Sequence, residues 1–187
     1  KAMASKTAVV VGGAAGHLGR GTTLGLAREG VKVIVCDNDR EGLEAIAGEV
    51  AALGTGASVT PIFGDVMDPA SLDAFWDQVE TLTPHIDILV NVCGGVARSL
   101  FELTSRASHA ENIRYNYGYH IDSCQRAIPL LKKSGQGGSI VNFTTIEAHR
   151  GAATFAVYAG AKAALTNFSR ALAVELGQHQ IRVNCLA

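Results

Sequence analysis

The chain has 187 residues, with 16 Lys and Arg against 17 Asp and Glu, 48% hydrophobic residues and 21 glycines. A net charge of −1 offers no basic face to nucleic acid or to an anionic membrane surface, and the hydrophobic content excludes disorder. No apolar run approaches the roughly 18 residues of a membrane span, and the length suits one domain, 1–187, with its own core. Cys36, Cys93, Cys124 and Cys185 are scattered, with no paired spacing that suits zinc, so no metal is expected. Three of them lie in or beside apolar stretches and read as small packed side chains, in a reduced, cytoplasmic setting.

Short β-branched runs alternate with longer helical periods. A strand over 8–11 leads through glycines to a helix ending near Glu29, and the apolar run 31–36 reads as a strand buried on both faces. The next helix starts near Asn38 or Asp39, repeats Leu43, Ile46, Ala47, Val50 and Leu53, and stops at Gly54. A strand over 58–63 precedes Asp68-Pro69, an N-cap followed by proline at the first helical position, and Leu72, Phe75, Trp76, Val79 and Leu82 then mark one helix face. A strand over 86–90, one long helix over 106–133, a strand over 139–143, a helix over 154–177 and a strand over 181–186 complete the series. This alternation predicts an α/β, Rossmann-type, doubly wound parallel sheet. Lys1–Ala4 reads as an artificial leader, and the last strand ends without a turn or cap, so a final strand and substrate loop are expected beyond Ala187.

Gly12-Gly13-Ala14-Ala15-Gly16-His17-Leu18-Gly19 stands between the first strand and the first helix. Such glycines allow a tight turn and a close approach to a pyrophosphate, which meets free N–H groups at the helix start. Asp37 follows Gly13 by 24 residues at the end of the second strand, as a dinucleotide fingerprint requires. A carboxylate there accepts from ribose hydroxyls and repels a 2′-phosphate, which favours NAD over NADP. Arg20 and Arg40 stand close enough to modify that choice, unless they are occupied in surface salt bridges.

Tyr158 and Lys162 lie four residues apart, on one face of a helix. A nearby ammonium favours a phenolate, which can exchange a proton with an alcohol or carbonyl oxygen.

With these residues in place the chain resembles the short-chain dehydrogenase/reductase family over almost its whole length. Asp65-Val66 is similar to the pair that contacts the adenine ring. Asn91-Val92-Cys93-Gly94 resembles the family's Asn-Asn-Ala-Gly segment with two positions changed. Asn116, thirteen residues before Pro129, matches the active-site asparagine, and Thr145, thirteen before Tyr158, matches the active-site serine. The segment 181–185 is similar to the strand that precedes a Pro-Gly turn in the family.

The resemblance implies Tyr158 as catalytic acid/base, with Lys162 holding the nicotinamide ribose and favouring the phenolate. Thr145 would bond the substrate oxygen, and Asn116 would anchor a water that links Lys162 to solvent. The cofactor site it implies comprises Gly13, Gly16, His17, Leu18, Gly19, Asp37, Asn38, Asp65, Val66, Asn91, Cys93 and Gly94, with Tyr158 and Lys162. A small-molecule alcohol or ketone substrate and a homotetramer follow from the same likeness. Its interface would use the regions 106–133 and 154–177, where Ala159, Gly160, Ala163 and Ala164 allow close helix approach.

Two departures stand out. His17 occupies the middle glycine of the family's Gly-x-x-x-Gly-x-Gly turn, where it could donate to a phosphate or point to solvent. The alternative spacing Gly13-x-x-Gly16-x-x-Gly19 fits the longer, epimerase-type branch. A non-catalytic nucleotide-binding subunit and an epimerase or dehydratase are therefore the competing functions. Glu147, His149 and Arg150 either line a substrate pocket or form a solvated loop.

Overall fold

The computed structural model describes residues 3–187; Lys1 and Ala2, part of the leader set aside above, lie outside the described residues. Six strands, β1 (Thr7–Val11), β2 (Lys32–Asp37), β3 (Val59–Phe63), β4 (Ile88–Asn91), β5 (Gly138–Phe143) and β6 (Ile181–Leu186), form one sheet. Its order is β3-β2-β1-β4-β5-β6, and every neighbouring pair is parallel.

Alternation along β1 and β2 explains why these strands read as continuous apolar runs. Val9, Val11, Ile34 and Cys36 enter one core, while Ala8, Val10, Val33 and Val35 enter a second on the other face. Helices α3 (Pro69–Leu82), α5 (Tyr119–Lys133) and α6 (Ala156–Leu176) cover the first core through Phe75, Trp76, Leu131 and Leu172. Helix α2 (Arg40–Ala52) covers the second through Leu43 and Ile46, beside α1 (Gly16–Arg28) with Leu24 and Leu26. Pro61 is tolerated within β3 because that strand forms the sheet edge, where a missing N–H breaks no inner ladder. The Asp68 carboxylate accepts from Ala70 N ahead of α3, as the Asp-Pro pair predicts.

Three boundaries differ from the sequence reading. The helix over 106–133 is interrupted: α4 (Arg106–Ile113) and α5 are joined by a wide π-helical turn at Arg114–Gly118. There the Asn116 side chain donates to Asn112 O, the carbonyl that a regular helix would offer to its backbone N–H. Helix α6 begins at Ala156 because Thr154 has φ +68°, in the left-handed region. Strand β4 begins at Ile88, since the Ile86 N–H turns to Leu130 O on α5.

Candidate active site

A cavity of about 1090 Å³ opens at the carboxyl ends of β1, β2 and β4. That is where strand order reverses and a parallel sheet leaves a crevice. The glycine-rich turn forms part of its wall. Gly12 and Gly16 take φ of +84° and +65°, conformations that glycine adopts without strain. A Cβ on Gly19 would stand 1.8 Å from Gly12 O, so α1 starts too close to the turn for any side chain. No side chain caps α1 at Ala15, and Gly16, His17, Leu18 and Gly19 line the cavity. The unpaired N–H groups and the positive dipole end suit an anion there. Gly13 lies behind this wall, with its carbonyl accepting from Thr23 Oγ1 at 2.8 Å, and does not line the cavity.

Asp37 and Asn38 both reach the cavity, but Asp37 is only 7% exposed and already holds three backbone protons. Its Oδ2 accepts from Ala14 N and Ala15 N, both at 2.9 Å, and its Oδ1 from Asp39 N at 3.1 Å. The carboxylate therefore fixes the glycine-rich turn and keeps about one lone pair for a ribose hydroxyl. Arg20 pairs with Glu49 at 2.5 Å, and Arg40 stacks at 4.1 Å on Phe63, the residue beside Asp37 in the sheet. Asp65 and Val66 line the cavity, and Arg114 Nε holds Val66 O at 2.9 Å.

At the end of β4 the expected residues divide between the core and the cavity. Asn91 is fully buried and does not line the cavity. Its Oδ1 accepts from Ser123 Oγ at 2.8 Å, and its Nδ2 donates to Asn142 Oδ1 at 2.9 Å. Asn142 in turn donates to Ser169 Oγ at 2.9 Å, so the Asn91 side chain bridges α5, β5 and α6. Cys93 and Gly94 do line the cavity, and Tyr119 Oη donates to Cys93 O at 2.8 Å. Cys36 and Cys124 are buried and Cys93 packs against the same core, while Cys185 is exposed. Burial pushes the Cys93 and Cys124 thiols up to about 12.

A Cβ added to Gly94 would stand 2.8 Å from Lys162 Nζ and 3.1 Å from Asn116 Oδ1. Lys162, Asn116 and the loop after β4 thus meet at a crowded point, where a side chain at position 94 would press on the lysine's ammonium. Lys162 is 2% exposed, its Nζ donates to Phe143 O at 2.7 Å, and burial lowers its pKa to about 8. Asn116 accepts from Gly95 N and donates to Gly95 O, each at 2.9 Å. With Asn112 O as a further acceptor at 3.0 Å, both amide protons are engaged within the protein. Any water at Asn116 must therefore use a lone pair there. Tyr158 lines the cavity one helical turn before Lys162, with Phe155 5.9 Å from its ring.

Thr145 lies outside the cavity lining, as does Lys162. Its hydroxyl donates to Glu147, whose other carboxylate oxygen accepts from Arg150 Nη2 at 2.9 Å. Those two bonds, the threonine's first, hold the Glu147 carboxyl down at about 2. The sequence reading missed one wall altogether, formed by Val96, Phe101, Leu103 and Thr104. Its only signal was the apolar trio Leu100, Phe101 and Leu103, in a stretch with neither strand nor helix period. Strained Thr154, also on the wall, had no sequence signal.

The sequence profile of the short chain dehydrogenase family matches residues 6–187. The chain belongs to that family. D-xylose 1-dehydrogenase of Caulobacter vibrioides is 33% identical over 183 residues, which cover 97% of this chain and 70% of that protein. The 7alpha-hydroxysteroid dehydrogenase of Bacteroides fragilis is 29% identical over 188 residues, covering 96% and 69%. Among solved structures, carveol dehydrogenase from Mycobacterium avium in complex with NAD superposes with a TM-score of 0.89 at 27% identity, covering 97% of this chain and 69% of that one. This short-chain dehydrogenase thus has oxidoreductase relatives on a shared Rossmann-like fold. Among its described residues no three His, Cys, Asp or Glu gather as metal ligands, and no helix is long and apolar enough to cross a membrane.

Proposed function

We propose that this short-chain dehydrogenase interconverts a secondary alcohol and a carbonyl compound, with NAD as cofactor and Tyr158 as general acid/base. The observation that carries the reading is Tyr158 on the cavity wall, with the buried Lys162 ammonium one turn behind it against Gly94.

The residues present fit a dinucleotide. The uncapped start of α1 suits a pyrophosphate, the remaining lone pair of Asp37 a ribose hydroxyl, and Asp65-Val66 the adenine end. When bound, the nicotinamide supplies hydride chemistry. The chain's own part is to orient and to move one proton. Tyr158 Oη takes the alcohol proton, or returns it to the carbonyl oxygen, and Lys162 stands one helical turn behind it. Asn116 clamps the Gly94–Gly95 backbone beside that ammonium. In this reading Thr145 adjoins the substrate oxygen.

A homotetramer belongs to the same reading, supported by Ile113 and Ile121, which are 46% and 37% exposed on the 106–133 region. Light scattering giving a monomeric mass would exclude it. The free thiols support a reducing, cytoplasmic setting.

Cofactor reduction by a panel of secondary alcohols tests the reaction. Tyr158→Phe is expected to lower turnover by roughly 10²–10⁴-fold with cofactor affinity almost unchanged. A variant that keeps more than about half the wild-type rate would refute Tyr158 as acid/base. Tight cofactor binding without turnover of any alcohol would favour a non-catalytic binding protein.

A further inference from the structure

His109 lines the cavity from α4, and its ring is fixed from two sides. The Phe101 ring lies parallel to it, with centroids 5.2 Å apart and 5° between the planes. Thr104 Oγ1 stands 2.5 Å from His109 Nε2 and donates to Phe101 O at 2.6 Å. A hydroxyl has one proton and two lone pairs. With that proton on Phe101 O, the contact with the imidazole holds only if Nε2 carries the ring proton and donates it to Oγ1. In the opposite arrangement the lone pairs of Oγ1 and Phe101 O would face each other at 2.6 Å. The neutral ring is therefore held with its lone pair on Nδ1. That atom has no hydrogen-bond partner among the described residues, and it is not buried.

Helices α4 and α6 pack together, and both lead from the carboxyl ends of the parallel strands toward their amino ends. They converge at Gly94, where Asn116 and Lys162 meet. Tyr158 stands one turn ahead of that point on α6. His109, seven residues before Asn116, stands about two turns ahead of it. Both side chains line one cavity, and His109 lies about 5 Å farther out. Phe101 and Leu103, 60% and 73% exposed on the same wall, offer apolar surface to a carbon skeleton. We propose that His109 is a specificity-determining residue whose Nδ1 accepts a hydrogen bond from a second hydroxyl group of the substrate, remote from the reacting carbon. The inference rests on the functional reading only in placing the reacting carbon at Tyr158. The two contacts do not compete, because Tyr158 exchanges the proton of the reacting oxygen and Nδ1 takes that of another.

Ligand-observed NMR titrations of the full chain with NADH, which cannot react with an alcohol, test this without turnover. Cyclohexanol is compared with the cyclohexanediols whose second hydroxyl lies two or three carbons away. For the better-bound diol, the affinity ratio of diol to cyclohexanol should fall by about 3–10-fold in His109→Phe, the scale of one neutral hydrogen bond. His109→Asn, whose amide oxygen takes the place of Nδ1, should keep the wild-type ratio. NADH affinity should stay the same in both variants. An unchanged ratio in His109→Phe, an equal loss in His109→Asn, or an NADH affinity that falls with the ratio would overturn the proposal. So would the same loss in Glu111→Gln, the nearby carboxylate on the cavity wall, or binding of neither compound by the wild type. Imidazole-nitrogen NMR supplies a ligand-free readout: the neutral His109 ring should carry its proton on Nε2, and a proton on Nδ1 removes the acceptor on which the proposal stands. Oxidation of cyclohexanol with a ratio indifferent to His109 sinks this inference alone. A chain with the expected ratio that oxidises no alcohol would refute the functional reading and leave the role of His109 intact.

Discussion

Replacing Asn91 by alanine should destabilise the fold and leave cofactor affinity almost untouched. The side chain is fully buried and joins Ser123, as donor, to Asn142, as acceptor. Its loss strands the Ser123 hydroxyl proton and Asn142 Oδ1. Each orphaned group costs about 1–3 kcal/mol, so Asn91→Ala should cost about 2–6 kcal/mol, slightly more with the emptied volume. Asn142→Ala should cost less, about 1–3 kcal/mol. It strands only Asn91 Nδ2, because the Ser169 hydroxyl still donates to Leu165 O at 2.8 Å. The double variant should fall short of the sum, since both changes remove the same bond. At roughly 2–4 °C per kcal/mol for a chain of this size, Asn91→Ala should lower the thermal midpoint by about 4–24 °C. Calorimetry and urea unfolding read the stability, and cofactor fluorescence titration reads affinity. An unchanged midpoint with cofactor binding weakened tenfold or more would show that Asn91 serves the cofactor and that the buried network is inessential.

The remaining predictions concern Asp37 and Lys162. Asp37→Ala with Asn38→Arg should shift preference from NAD toward NADP, by removing a charge that repels the 2′-phosphate and adding a guanidinium for it. Because the same change strips Ala14 N and Ala15 N of their acceptor, stability should fall too; a wild type that already prefers NADP in titration would defeat the assignment. The Lys162 ammonium titrates at about 8 when folded against its ordinary 10.5, so from pH 8 to 10.5 the unfolded chain holds the extra proton. Stability contributed by this group should therefore rise across that window, by on the order of 3 kcal/mol. The buried thiols at Cys93 and Cys124 act in the opposite sense, so the signal is the difference between wild type and Lys162→Met. A difference flat in pH would contradict the burial of the charge.

The parts of the fold that were legible in the sequence are those fixed by short-range chemistry. Val9 and Val10 alternate between two covered faces, so β1 reads as a plain apolar run. Asp68-Pro69 carries its own N-cap, and Gly54, at φ +62°, its own helix stop. Most of the expected cofactor residues do reach one cavity, because strand order alone brings the ends of β1, β2 and β4 together. What escaped depends on which partner a polar group finds across the fold. Nothing near Asn91 in sequence announces Asn142 or Ser123, and a hydroxyl at Thr145 reads the same whether it faces a cavity or Glu147. The π-helical turn also gives no warning, since Arg114-Tyr115-Asn116-Tyr117-Gly118 contains no proline and only one glycine.

That wide turn sets the phase between two helix faces. A π-type turn accommodates one residue more than a regular turn, and one residue of α-helix is a rotation of about 100°. Ahead of the turn, Ser108 and Asn112 look into the cavity; beyond it, Ser123, Cys124 and Ala127 are buried inside the fold. Removing any one residue from 114–118 would restore regular winding and turn one half against the other. Either Asn116 would leave Gly95, or Ser123 would leave Asn91. Chain length at this point is thus held as tightly as the identity of Asn116: the segment cannot lose a residue without parting one of these contacts.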